Sequence, residues 1–510
     1  GFTLVELLAV IVILAVILAI AVPGISKLIK SATKNAFASD AKMILKSVEI
    51  KSLEDESFNP LELNESNIKD KLNIDNSKYQ SLTIKRINNQ HFIAIVGTDK
   101  WKDLVACGTK TSLKILDVED LDLCEVVGNI KVGNQPVLAE GMTPIKWNGT
   151  TEVTTTETDP DWYNYNTKNW ANAKTADGSY WVWIPRYIYK ISSGWHSSTA
   201  GTINVQFSKG TNDNWNSSSI GNIDTGTTAN ASNNKWTNHP AFTFGDTELT
   251  GFWVAKFEAS GTTSAIKSVP NVTSLSPINT SDMFDASRNM ETNAMYGWGD
   301  SGKDIDTHMM KNSEWGAIAY LSKSQYGKET EEIWINNNSQ YITGCAGNSV
   351  SASSFDGCQN AYHTPTGVNA SSTGNIYGIY DLSGGAGDRV AAYVDNGHAN
   401  LRNQGLSIIN AASKYKDVYK VGADGTQASF YALFANHKGD AMYETSASHN
   451  GSTSWYGDYS DTPYAIYPWF ERGGSCHLGS LAGAFSFFYN NGYPARYVGF
   501  RAILAVGAGL

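Results

Sequence analysis

The first 23 residues, GFTLVELLAVIVILAVILAIAVP, constrain this chain more than any other stretch. From Leu4 to Val22 every side chain is apolar except that of Glu6. At ~1.5 Å rise per residue, a helix over this run spans roughly 28 Å, close to the hydrocarbon core of a bilayer. A signal peptide would need a basic start and a small-residue cleavage site, and the stretch shows neither. Nor does it end like a plain anchor. After Pro23-Gly24 a helical period continues through Ile25, Leu28, Ile29, Ala32, Ala36, Phe37, Ile44, Leu45 and Val48, with lysines between. The pattern predicts one assembly helix over residues 1–53, with a weak point at the Pro–Gly pair.

Glu6 raises a physical problem. A carboxylate among lipid chains costs a few kcal/mol unless paired, and nothing cationic lies one or two turns away on the same helix. A partner must come from elsewhere, and the free α-amine of a neighbouring, staggered copy would serve. In these residues the chain resembles the prepilin-type N-terminus of type IV pilins and type II secretion pseudopilins. The resemblance implies Gly1 as the last leader residue and Phe2 as the methylated mature N-terminus. It also implies Glu6 as the pairing carboxylate, Pro23 as the helix-melting proline, and prepilin peptidase and the inner-membrane pilus assembly machinery as partners. Gly1 is still present in this chain, a departure from the processed form.

Residues 54–140 predict a small antiparallel-sheet head on the C-terminal half of the helix, from Leu82–Ile84, Phe92–Val96 and Leu113–Leu116. Five cysteines form two local pairs, Cys107/Cys124 and Cys345/Cys358, plus Cys476. Local pairs fit disulfides closing short loops outside the cytoplasm, with buried free thiols as the alternative. No Cys-x-x-Cys appears, so a zinc ribbon is unsupported.

Composition changes near Gly141. Residues 1–140 carry 16 Lys/Arg and 18 Asp/Glu, the rest 23 and 31, and 14 of the 15 tryptophans follow that point. A formal charge of −10 leaves no basic footprint for nucleic acid. Residues 148–169 read as loop, the Ser/Asn/Gly-rich insertion 197–240 as extended or loop-like, and 181–185 and 251–258 as buried strands. Residues 311–321 read as a short amphipathic helix with Ser313 as N-cap. Four pieces follow in order: GFWVAKFEAS (251–260), KNSEWGAIAYL (311–321), GNIYGIYDLSGGAGDRV (374–390) and RGGS…GFRAIL (472–504). Together they resemble the C-type-lectin-like fold in its formylglycine-generating-enzyme branch, shared with phage and bacterial surface proteins whose ligand-binding residues vary. The resemblance implies that Arg472 and Arg501 tie loops together and that Gly473 and Gly499 permit tight turns. The branch's copper oxidase uses a late cysteine pair, whereas here Cys476 stands alone after Cys358, and Ala386–Val390 replaces its Trp-Glu-Trp segment. The oxidase activity is therefore not expected.

Asp304, Asp306 and Asp381 could offer oxygens to calcium, against the plainer reading of solvated turns. No metal or other cofactor is expected, and no HExxH or GxSxG pattern supports a catalytic site. Phe488, Tyr489, Asn490, Tyr493, Arg496 and Tyr497 combine aromatic faces with hydrogen-bonding groups, the chemistry that grips carbohydrate or protein ligands. Phe485 and Phe487 read as strand core.

The expected fold class is α+β: the long helix and head, then a lectin-like surface domain over 141–510. The expected function is that of a structural subunit, homo-oligomeric in a helical pilus filament, held in the cytoplasmic membrane before assembly and displayed outside the cell. A minor or tip pilin, or a pseudopilin, is the alternative within this class. A membrane-tethered surface enzyme is the rival from another.

Overall fold

The computed structural model describes residues 4–55, 58–87, 90–111, 113–118, 132–215, 220–298, 304–422, 425–507 and 510; for 4–28, 85–87 and 90 it describes the backbone alone. The fold is α+β and divides into two compact units, residues 1–130 and 131–510. Gly1, Phe2 and Cys124 lie outside the described residues.

In the first unit one helix, α1 (Leu4–Glu54), runs without a break through Glu6, Pro23 and Gly24. Among the described residues no helix is long and apolar enough to cross a membrane; the side chains of the apolar run fall outside that set. Farther along, Phe37, Ala41, Ile44, Leu45 and Val48 are buried, a spacing of three and four that places them on one face. That face packs on a meander of four antiparallel strands in sequence order, β1 (Tyr79–Ile87), β2 (Gln90–Gly97), β3 (Leu104–Thr109) and β4 (Leu113–Asp117). Alternation sends Leu82, Ile84, Ile93, Ile95, Leu104 and Ala106 toward the helix and Ala94, Val96, Val105 and Cys107 to the other face. Each fully buried aliphatic side chain contributes about 1.5–3 kcal/mol. Phe37 stacks on Trp101 at 4.9 Å. Cys107 is disulfide-bonded.

The second unit begins earlier than the composition change suggests. Residues 132–140, read from sequence as part of the head, belong here: Leu138 and Ala139 join the large core, and Asn134 Nδ2 donates to the carbonyls of Gly210 and Thr250. In chain order its longer strands open with β5 (Thr143–Asn148), β6 (Thr151–Thr154), β7 (Asn172–Lys174) and β8 (Tyr180–Pro185). There follow β9 (Tyr187–Ser193), β10 (Thr202–Phe207), β11 (Gly251–Ala255) and β12 (Ile305–Met309). The last are β13 (Gly387–Val394), β14 (Trp469–Gly473), β15 (Gly483–Asn490), β16 (Val498–Phe500) and β17 (Ala502–Val506). One antiparallel sheet has the order β12-β17-β11-β8-β7-β5-β6, so the final strand lies inside it rather than at an edge. A second, mixed sheet pairs β13 with β14, β14 with β15, and β13 in parallel with β16. Trp162, Trp170, Trp181, Trp183, Trp253, Trp315, Trp455 and Trp469 are fully buried within the core.

Within 197–240, read as extended or loop-like, Thr202–Phe207 is the extended part: it alternates exposed and buried residues and pairs along β9. Two sequence expectations change. The 148–169 stretch is not all loop and holds β6 and the buried rings of Trp162, Tyr163 and Tyr165. The helix at 311–321 is α2 (Asn312–Lys323), and it is buried on every side rather than amphipathic. Its N-cap is Lys311, whose backbone N–H donates to Glu314 Oε2 at 2.8 Å, while the Ser313 N–H donates to Asp417.

The four motif pieces converge on two fully buried arginines. Arg472 donates to Asn312 Oδ1, Ser486 O, Asp440 O and Ala441 O and lies over the Trp315 ring. Arg501 donates to Ala255 O, Tyr380 O and Asp388 Oδ2, holding β11, the 380–388 segment and β17 together. Gly473 has φ 79°, as a tight turn requires. Gly499 does not turn: it sits in β16 opposite Asp388, and a Cβ there would press on Ala386 and Glu258 at 3.3–3.4 Å.

Candidate functional site

Strand β15 and the loop after it carry the residues singled out for ligand contact. Phe485 and Phe487 are buried, as alternation demands. Farther along the strand Phe488 and Tyr489 are half-buried and belong to two ring clusters. Phe488 stacks on Tyr459 at 5.1 Å with the planes 23° apart. Tyr489 packs against Tyr467 at 4.6 Å and Tyr464 at 5.4 Å. Tyr464 and Tyr467 exchange backbone hydrogen bonds across a tight loop whose tip, Ile466, is 47% exposed. Burial pushes the nearby Asp461 carboxyl up to about 6, against a hydrogen bond from Gln427.

Asn490 belongs to the framework beneath this surface. It is buried; its Oδ1 accepts from Arg389 Nη2 at 2.6 Å and Gly492 N at 2.7 Å, and its Nδ2 donates to Glu471 at 2.9 Å. Tyr493, Arg496 and Tyr497 are exposed. Their backbone carbonyls are each held from below, by Arg389 Nη2, Ser276 Oγ and the Gly387 N–H respectively. A chain fixed at three carbonyls with its side chains outward loses little further freedom on binding.

Two neighbours escaped sequence reasoning. Tyr341, at φ 57°, shares a hydrogen bond of 3.2 Å with His477 Nε2, their rings edge to face at 6.1 Å. Burial raises the Tyr341 phenol, and it also feels the charges of Cys476, Arg496 and Tyr497, which places it beside them. His477 lies within the β14–β15 connection and could have been noticed there. Tyr341, 136 positions away from it, leaves no local signal. Tyr459, Tyr464 and Tyr467 likewise reach the surface only through sheet pairing.

Beneath lies a layer of buried charge. Burial drives the Glu258 carboxyl well above its usual range, with Asp381 and Asp388 adding to the effect; it accepts from Ser274 and from the Ala386 N–H. Cys476 is a buried free thiol raised to about 12, mainly by burial. Asp381 accepts from Asn336 and the Gly344 N–H, and Asp306 lies between His308, Arg288 and Tyr415. Asp304, in a bend, is exposed. The three aspartates considered for calcium thus sit in separate hydrogen-bonding surroundings. Among the described residues no group of three or more His, Cys, Asp or Glu is placed to hold a metal ion. Cys345 and Cys358 form a disulfide.

A cavity of about 10 Å³, lined by Lys323, Glu332, Tyr456, Asp458 and Phe485 among others, has room for about one water. The arrangement around β15 is a surface for contact: rings offer stacking faces, and Arg496, His477 and the tyrosine hydroxyls offer hydrogen bonds at their edges. In comparisons with known proteins, the chain matches no family model and no curated protein.

Proposed function

We propose that this chain is a structural subunit of an extracellular filament of the type IV pilus kind, assembled through its N-terminal helix, with the larger unit carrying a lectin-like binding surface. The observation that carries the proposal is the continuity of α1. One helix of 51 residues bears the apolar run and Glu6 at its start and the packed face of the head near its end. Side-by-side packing of copies would bury the apolar run of such a helix. Glu6 then needs a cation in that packing, which a neighbour's N-terminal amine supplies. The larger unit would bind through Phe488, Tyr489, Tyr493, Arg496, Tyr497, Tyr341 and His477, to a carbohydrate or protein partner.

Glu6→Ala tests assembly. The variant should enter the membrane fraction normally while the yield of sheared filaments, seen by electron microscopy, falls at least tenfold. Wild-type filament yield would end the pairing argument. For the surface, Tyr493→Ala with Tyr497→Ala should abolish retention of the full-length protein on any glycan-array feature that retains the wild type. The thermal midpoint should stay within about 1 °C, because both rings are exposed.

A further inference from the structure

Lys256 and Asn172 are both buried at 0% exposure, the lysine just past β11 and the asparagine in β7, two strands that do not pair with each other. Asn172 opens β7, and Lys256 directly follows β11; β8 runs between them. The lysine side chain crosses β8, and its Nζ lies 2.8 Å from Asn172 Oδ1 and 2.7 Å from Ile376 O. Trp147 and Tyr380 flank the amine, their ring centroids 4.8 and 5.6 Å from Nζ. Among the described residues no carboxylate lies within ion-pair distance of it. The amide is held just as firmly, with Nδ2 donating to Trp170 O at 2.9 Å and Tyr377 O at 2.8 Å.

We propose that Lys256 and Asn172 join in an intramolecular isopeptide bond, formed by the folded chain itself. A buried, unpaired lysine gives up its proton, leaving a neutral amine with a lone pair. That lone pair adds to Asn172 Cγ, forming the Nζ–Cγ bond. One amine proton passes to Nδ2, the Cγ–Nδ2 bond breaks, and ammonia leaves with the electron pair of that bond. A secondary amide remains, and the balance closes without oxidant, cofactor or further reactant. Three backbone carbonyls lie where the reaction places positive charge: Ile376 O at the attacking nitrogen, and Trp170 O and Tyr377 O at the departing one. Rigid placement of two reactants supplies effective concentrations on the order of 10⁵–10⁸ M, which an amide needs to react with an amine at ordinary temperature. Burial directs the amine's chemistry in the same sense, lowering its basicity far below that of a free lysine.

A second Lys–Asn contact provides an internal control. Lys438 Nζ lies 2.9 Å from Asn238 Oδ1, but Asn238 is only half-buried, and burial lowers the Lys438 amine against the opposing charges of Asp224 and Glu444, without carrying it as far down as Lys256. A less deeply buried pair with two carboxylates favouring the amine's proton is not set to react, so no bond is expected there.

Intact-mass measurement of the reduced full-length protein decides the matter. The wild type should be lighter than its sequence by one ammonia, and Lys256→Met should have the full sequence mass. Trypsin should fail to cut after Lys256 and release residues 169–174 joined to residues 236–267, while it cuts normally after Lys438 and releases residues 421–438 as a linear peptide. A wild-type mass equal to the sequence, with free 169–174 peptide in the digest, would overturn the proposal. So would a mass loss mapped to any other pair of residues. The wild-type readout does not depend on whether the variant folds.

Discussion

The two units enclose different chemistry. Among the described residues of the head, Thr109 is the one buried residue of the polar types; Ile, Leu, Val and Ala fill the rest together with Phe37, Trp101, Cys107 and Tyr79, whose hydroxyl donates to Asp40. The larger unit encloses tryptophans together with Arg389, Arg472 and Arg501 and carboxyls such as Glu258, Asp388, Glu444 and Glu471. A helix face laid on a meander needs only apolar complementarity between neighbours in sequence. A unit of many short strands and long connections must tie distant backbone together, and guanidinium groups reaching several carbonyls do so at one point. The head should therefore resist loss of a polar contact that the larger unit cannot tolerate.

The largest effect expected from this contrast is at Arg501. Arg501→Met leaves the Ala255 and Tyr380 carbonyls and the Asp388 carboxylate buried without their donor, and should cost about 3–5 kcal/mol. Differential scanning calorimetry should show the larger unit's transition collapsing while the head's stays in place. A loss of equal size in both transitions would break the comparison.

A smaller effect, of several degrees, should separate the units by pH. In the larger unit burial raises Asp388 and Asp440 to about 6 and Glu444 and Glu471 to about 7. A carboxyl whose folded pKa lies above its unfolded value binds more protons when folded, so its contribution to stability falls as pH rises from about 4 through 7. His308 adds in the same direction. Burial opposes its charge, but Glu314 and Asp306, at 2.9 Å from its two ring nitrogens, outweigh burial and raise it. Its contribution is full below the unfolded pKa and is lost as pH climbs through the folded one. In the head, Asp117 is lowered instead, chiefly by hydrogen bonding to Lys34, so its contribution is lost only under acid. Moving from pH 7.5 to 5.5 should raise the melting temperature of the larger unit and leave the head's unchanged. A rise shared by both would blunt the distinction.

The smallest effect belongs to the head's surface. Lys34 meets Asp117 at 3.1 Å with both side chains about a third exposed, and Lys34→Ala should cost under about 1 kcal/mol by urea denaturation. A larger loss would mean the head depends on charge after all.

Legibility follows the same divide. The helix face of α1 and the strands around Leu82, Ile93 and Leu113 show in local periodicity, because each side chain's fate is set by neighbours three, four or two positions away. Strand β3 did not show, since all of Leu104–Thr109 is buried and period-two contrast vanishes. Strand β10 kept its alternation, but within a Ser/Asn/Gly-rich stretch that reads as extended or loop-like without bounds for a strand. Ser313 lost the N-cap to Lys311 because Asp417, 104 residues away, takes its N–H. The candidate surface was half visible: Tyr493, Arg496 and Tyr497 stand out in the chain, whereas Asn490 proved to be framework and Tyr341 arrives from another segment.

By itself the sequence determined the long helix, its awkward carboxylate, the aliphatic head and the order of the framework pieces, since each rests on spacing along the chain. Only the tertiary structure decided which charges are buried, which rings share the β15 surface and which lysine meets which asparagine. Those facts depend on groups brought together across scores of residues, where burial, not spacing, sets the chemistry.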